Sequence, residues 1–137
     1  MSNIVYQLNK AKKAYLNNNF TEAKAIYKEI LKLNQNNELY WINYIAIYLN
    51  LKEFDQAEII ARKAINLNPG FAKVYCNLGV ILQIKDKINE AIACYKKSIV
   101  IDAKYIVAYN NLGILLKKLG HLDEAKKNFI YSISLNA

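Results

Sequence analysis

Four asparagines, Asn9, Asn43, Asn77 and Asn111, recur at intervals of 34 residues. A carboxamide carries an acceptor oxygen and two N–H donors, so it can pair with both the C=O and the N–H of an extended chain, whatever that chain's side chains are. Asparagine is disfavoured in helix interiors by up to about 0.7 kcal/mol against alanine, so a column of four at one helical position asks for a reason. Shared ancestry of repeated segments is one explanation; a row of amides that grips a ligand backbone is the other. The rest of the chain offers little chemistry. One histidine, His121, and four glycines cannot build a Ser–His–Asp set, a His-x-x-x-His site or a Gly-rich phosphate loop. Cys76 and Cys94 lack the spacing of a zinc or redox site and read as buried free thiols. No enzymatic reaction, cofactor or metal is expected.

The elements that must hold these asparagines follow from a repeat. Displaced by 34 residues, Tyr75-x-x-Leu78-Gly79-x-x-Leu82 falls on Tyr109-x-x-Leu112-Gly113-x-x-Leu116, and Ala91-x-x-x-Tyr95-x-x-Ser98 falls on Ala125-x-x-x-Phe129-x-x-Ser132. Four frames run without insertion: 4–37, 38–71, 72–105 and 106–137. Each reads as two helices. In the third frame, Tyr75, Leu78, Gly79 and Leu82 give one apolar stripe at i, i+3, i+4, i+7, and Ile88, Ala91, Ile92, Tyr95, Ser98 and Ile99 give a second. Gly79 and Ala91 leave room for the two helices to approach closely. Thr21, Asp55, Asn89 and Asp123, each followed by Glu or Gln, are the expected N-caps of the second helices. The short turns before them, around Asn17–Asn19, Lys52, Asp86 and Gly120, force neighbouring helices to run antiparallel, with Asn and Gly supplying left-handed backbone.

This pattern resembles the tetratricopeptide repeat, a helix–turn–helix unit of about 34 residues with Leu-Gly and large apolar positions on its first helix and Ala, an aromatic and a small residue on its second. The second frame adds Trp41 and Pro69 but has Tyr44-Ile45 in place of Leu-Gly; the first has Gln7 and Lys10 at usually apolar positions. The resemblance implies an all-α, right-handed superhelical solenoid of four antiparallel helix pairs, forming one domain over 1–137. It also implies that the first helices line a concave groove, and the Asn column is similar to the Asn ladder with which O-GlcNAc transferase repeats hold a peptide backbone.

The outward face of the first helices agrees with a covered surface. Position 6, the Asn column, lies roughly 150° from the centre of the apolar stripe at 100° per residue, and positions 2, 9 and 13 point the same way. There the chain has Val5, Leu39, Ala46, Val80, Ile84, Val107 and Ile114, mixed with Lys12, Lys73 and Lys118. A face turned from the core should be polar, so this run of aliphatics points to a surface meant to be covered. The expected function is a protein-interaction scaffold whose groove takes a peptide or partner protein with aliphatic and acidic character. The expected contact residues are Asn9, Asn43, Asn77, Asn111, Lys12, Leu39, Ala46, Lys73, Val80, Ile84, Val107 and Ile114. The carboxylate-clamp subclass of these repeats is not matched: the five positions it needs read Leu8, Lys12, Asn43, Lys73 and Asn77, and only two agree. An alternative is the substrate-recruiting arm of a larger glycosyltransferase; another is a homo-oligomeric scaffold.

Composition sets the remaining bounds. With 54% apolar and 22% charged residues, 137 residues make a globular chain with a substantial core. The formal net charge is +8, but Lys28, Arg62, Lys63, Lys96 and Lys97 fall on solvent-facing positions of second helices and the tyrosines on core positions. That distribution argues for a solvated basic face and against a nucleic-acid groove, which would interleave aromatics with a basic track. The N-terminal segment has no apolar signal region and no run reaches the length of a membrane span, so a cytoplasmic location is expected. In the fourth frame Ile130 and Tyr131 replace the charges of the earlier frames and no polar closing helix follows before Ala137, so either a piece of a longer repeat protein or self-association through this end is expected.

Overall fold

The computed structural model describes residues 3–136; Met1, Ser2 and Ala137, the outermost residues of the 1–137 range, lie outside them. The described residues form eight helices: α1 (Asn3–Leu16), α2 (Phe20–Leu33), α3 (Glu38–Asn50), α4 (Phe54–Leu67), α5 (Ala72–Ile84), α6 (Ile88–Ile101), α7 (Ile106–Lys118) and α8 (Leu122–Leu135). The architecture is all-α, built of four antiparallel helix pairs. Helices α3, α5 and α7 begin at the first residues of the second, third and fourth frames. Helix α1 forms despite Gln7 and Lys10, because Ala11 and Ala14 still give it a buried face against α2.

Every first-to-second-helix turn is made the same way. Asn18, Lys52, Asp86 and Gly120 hold φ of 59°, 58°, 61° and 84°. After each, one backbone N–H reaches five residues back: Asn19 to Ala14, Glu53 to Tyr48, Lys87 to Leu82 and His121 to Leu116, at 2.8 to 2.9 Å. A left-handed residue followed by this bond is the Schellman ending, which satisfies carbonyls that the helix terminus leaves open. That a lysine and an aspartate occupy two of these sites departs from the expectation of Asn and Gly. The turn is fixed by the helix-end bonds, and those residues accept the left-handed conformation at a cost.

The second helices start one residue earlier than the expected caps. Phe20, Phe54, Ile88 and Leu122 are their first helical residues, and the caps are Asn19, Glu53, Lys87 and His121. Thr21, Asp55, Asn89 and Asp123 therefore sit inside the first turn. The apolar residue before each supplies the first inward side chain, so the helix begins there. Only Asn19 caps with its side chain, accepting from Glu22 N–H at 3.3 Å. The acids Asp55 and Asp123 serve instead to complement the helix dipole.

The chain divides into two compact units, Met1–Asn68 and Pro69–Ala137. In the first, α2 packs on α1 and α3, and α3 on α4, around Ala11, Ala23, Ile30, Trp41, Ile45, Ile47, Ala57, Ala61 and Ala64. In the second, α6 packs on α5 and α7, α7 on α8, and α5 on α7. Helix α5 buries more than the one expected stripe: Val74, Cys76 and Ile81 are buried along with Leu78, Gly79 and Leu82, while Tyr75 is half-buried. Contact with two neighbouring helices requires two apolar faces. Gly79 makes room less for Ala91 than for the ring of Tyr95, and Gly113 does the same for Phe129. Ser98, fully buried on α6, donates to the Ala72 carbonyl at 2.7 Å and ties α6 to the start of α5. Of the two cysteines, Cys76 is buried as expected, whereas Cys94 is half-buried. No helix among the described residues is long and apolar enough to cross a membrane.

Candidate functional site

Within the first unit, a cleft of about 450 Å³ opens on the outward face of α1 and α3. Helix α1 contributes Leu8, Asn9, Ala11, Lys12 and Tyr15, α2 contributes Tyr27, and α3 contributes Leu39, Tyr40, Asn43 and Ala46. The helical period explains the grouping: 8, 12 and 15 follow i, i+4, i+7 on α1, and 39, 43 and 46 do the same on α3. Five residues selected from the sequence, Asn9, Lys12, Leu39, Asn43 and Ala46, thus border one hollow.

Its polar groups are partly fixed from within the protein. Asn43 Nδ2 donates to Tyr27 Oη at 3.0 Å. Asn50 Nδ2 donates both to Tyr15 Oη at 2.6 Å and to the Ala46 carbonyl at 2.9 Å. The carbonyl can only accept, so the orientation of the Asn50 amide is settled. Burial raises the Tyr27 phenol above its ordinary pKa, the Asn43 bond pulls the other way, and Tyr40 adds to the rise. The hydroxyl therefore stays protonated across the neutral range.

The second unit has a smaller cleft of about 310 Å³, lined by Val80, Gln83 and Ile84 of α5, Tyr95 of α6, and Asn111 and Ile114 of α7. Tyr95 Oη donates to Gln83 Oε1 at 2.9 Å. Asn111 Nδ2 lies 3.5 Å from Cys76 Sγ. Burial pushes the Cys76 thiol up to about 11, against the pull of the Asn111 bond and with a further rise from Cys94. A thiol so placed is neutral and inert at neutral pH.

Three selected residues border neither cleft. Asn77 is half-buried, Val107 is exposed, and the Lys73 ammonium stands 5.9 Å from the centre of the Tyr105 ring. The tyrosine hydroxyls of Tyr15, Tyr27 and Tyr95 were missed as site groups. Tyr27 and Tyr95 share the aromatic position of the second helix, which reads as core; the hydroxyl at its tip was the available signal, since a buried phenol needs a polar neighbour. Among the described residues no three His, Cys, Asp or Glu side chains cluster as a metal site. The basic positions Lys28, Arg62, Lys63, Lys96 and Lys97 are exposed, with Arg62 paired to Glu58 at 2.8 Å and Lys96 to Glu124 at 3.6 Å.

Three family models match the chain: a tetratricopeptide repeat model over residues 14–78, a TPR repeat model over 84–120, and a second tetratricopeptide repeat model over 106–137. No curated protein sequence matches it. Among solved structures, it is similar to MamA (24% identity over 98% of this chain and 79% of that one, TM-score 0.80). It is also similar to YrrB, described as a TPR protein with an unusual peptide-binding site (16%, 94% and 66%, TM-score 0.73). A third is the first TPR of Spaghetti (RPAP3) bound to the HSP90 peptide SRMEEVD (23%, 85% and 92%, TM-score 0.72). At these identities the likeness concerns the fold.

Proposed function

The chain is a tetratricopeptide repeat protein, and from that premise we propose that it is a protein-interaction module, a scaffold that holds an extended segment of a partner against the outward faces of its first helices. The observation that carries this reading is the convergence of Asn9, Lys12, Leu39, Asn43 and Ala46 on one cleft. Asn43 spends an N–H on Tyr27, which leaves its Oδ1 to accept from a ligand N–H; Asn9, exposed, offers both functions. Val80, Ile84, Asn111 and Ile114 provide the corresponding surface in the second unit, with Asn77, Lys73 and Val107 on the same helical faces. A row of amides so used resembles the Asn ladder of O-GlcNAc transferase repeats. Two similar structures are described as peptide-binding or peptide-bound, which supports the reading. The module itself performs no reaction and acts in the cytoplasm.

The test is the combined replacement of Asn9, Asn43, Asn77 and Asn111 by Ala, followed by pull-down of partners and calorimetry on any partner segment recovered. With helicity retained, a loss of at least about tenfold in affinity is expected, since tenfold is only about 1.4 kcal/mol spread over four amides. A folded variant that keeps every partner would remove the groove from the mechanism.

A second surface supports self-association with another copy of this chain. Ile130 and Tyr131 on α8 are 56% and 46% exposed, and Ile133, one turn from Ile130, is exposed too. At the equivalent positions α2 carries Lys28 and Glu29, and α6 carries Lys96 and Lys97, all exposed although a helix pair follows each. A following repeat would therefore leave Ile130 and Tyr131 uncovered, and an isologous contact of α8 with its counterpart would cover them. Sedimentation should show a concentration-dependent dimer that Ile130→Lys with Tyr131→Lys abolishes; a monomer at high concentration in the unaltered protein ends this proposal.

A further inference from the structure

We infer that the first-unit cleft selects an acidic side chain flanked by aliphatic ones within an extended peptide, an inference that rests on the peptide-groove reading. The polar edge of the cleft is biased toward donors. Tyr15 Oη already accepts from Asn50 at 2.6 Å and Tyr27 Oη from Asn43 at 3.0 Å. A tyrosine hydroxyl has one hydrogen to give and gains most when its oxygen also accepts. With each oxygen engaged by an amide, the function left to each hydroxyl is its O–H donor. Lys12, exposed on α1 one turn before Tyr15, is the one charged residue lining the cleft. No Asp or Glu lines it. Lys12 and Tyr15, one turn apart on α1, supply an ammonium and a hydroxyl donor with no acid beside them in the cleft, which suits a carboxylate, whose two oxygens only accept. Tyr27, bonded to Asn43 two turns from Asn50 on α3, leaves a separate donor for the ligand backbone.

The apolar part fixes what accompanies that carboxylate. Leu8, Leu39 and Ala46 border the same space, and Leu39 is 57% exposed, so a ligand aliphatic group placed there removes apolar surface from water on both sides. In an extended chain alternate side chains point the same way about 6.6 Å apart, twice the rise per residue. An acidic residue and an aliphatic one two positions away would reach the donor edge and the apolar floor together. The donors are arranged for a side chain rather than a chain terminus: where the terminal-carboxylate set of this repeat family needs a first lysine, this chain has Leu8.

The experiment is an NMR titration of the isotopically labelled full chain with acetyl-Leu-Ser-Glu-Ser-Ile-amide, in which Leu and Ile each lie two positions from the Glu, its Gln-for-Glu counterpart, and the counterpart with a free C-terminal acid. The Glu peptide should shift the side-chain amides of Asn9, Asn43 and Asn50 and bind about tenfold more tightly than the Gln peptide, the scale of one charge-assisted contact. Lys12→Gln should erase that difference, and Tyr15→Phe, which leaves Asn50 bonded to Ala46, should reduce it several-fold. Equal shifts and affinities for the Glu and Gln peptides would overturn the carboxylate inference and leave the groove reading standing. Preference for the free-acid Gln peptide would overturn the commitment to a side chain. No perturbation of α1 or α3 by any of the three would overturn both the inference and the reading beneath it.

Discussion

Gly79→Leu is expected to destabilise the second unit by about 3 kcal/mol or more, the upper end of overpacking costs. A Cβ built on Gly79 would lie 2.6 Å from Tyr95 Cε1 and 2.7 Å from Cδ1, distances that real carbon contacts do not reach, and leucine adds three further carbons. The ring cannot retreat easily. Tyr95 is 1% exposed and its hydroxyl is held by Gln83 at 2.9 Å. Replacing glycine in a helix returns about 0.8–1 kcal/mol of propensity, too little to offset the clash. Small domains have about 5–15 kcal/mol in all, so a shift of this size will be plain in a urea titration followed by circular dichroism. Gly79→Ala, which adds only the Cβ, should lose less than Gly79→Leu; equal losses would place the cost in the backbone and not in the added bulk. The same experiment examines whether 1–137 behaves as one domain, as the unbroken register of four frames leads us to propose. The single tryptophan, Trp41, belongs to the first unit, so a Gly79→Leu protein whose tryptophan fluorescence transition moves together with its helical signal unfolds cooperatively throughout.

Trp41→Ala should cost about 3–5 kcal/mol, the range for removing a large buried aromatic. The indole is 2% exposed and its Nε1 donates to the Gln35 carbonyl at 2.8 Å, which closes the turn leading into α3. Most of the loss comes from the emptied volume, because Gln35 is exposed and water can take over its carbonyl. Trp41→Phe separates the two contributions: it keeps much of the ring volume, loses the hydrogen bond, and should cost about 1–2 kcal/mol by the smaller volume change and the lost bond. Denaturant midpoints by circular dichroism check both variants. Equal losses for Ala and Phe would assign the stabilisation to the turn bond instead of the packed ring.

The fold was legible because it rests on a period and on volume. Leu78-Gly79 and Leu112-Gly113 announce a helix pair whose close approach is set by a missing side chain; the sequence pointed to Ala91 as the residue facing Gly79, whereas the Tyr95 ring lies there and the Phe129 ring lies against Gly113. Helix caps were misjudged by two residues, since Asp55, Asn89 and Asp123 look like caps by type, and only the inward packing of Phe54, Ile88 and Leu122 decides where the helix begins. The candidate site was legible as a face and not as a set of bonds. That Asn9 and Asn43 border one hollow follows from 3.6 residues per turn. That Asn43 meets Tyr27, and Asn111 meets Cys76, depends on how a first helix sits against elements of the preceding repeat. No residue pattern within one frame states that geometry.

The left-handed bends at Lys52 and Asp86 bear on heat tolerance. The lysine stores about 1–2 kcal/mol of strain in that conformation and the aspartate less, because its short polar side chain can bond locally, and the fourth repeat, with Gly120 at the same place, carries none. Neither Lys52 nor Asp86 borders the cleft of its own unit. The melting point of the native protein is thus held below what its packing allows at two solvent-facing corners, a margin that lies where no bound segment would notice its recovery.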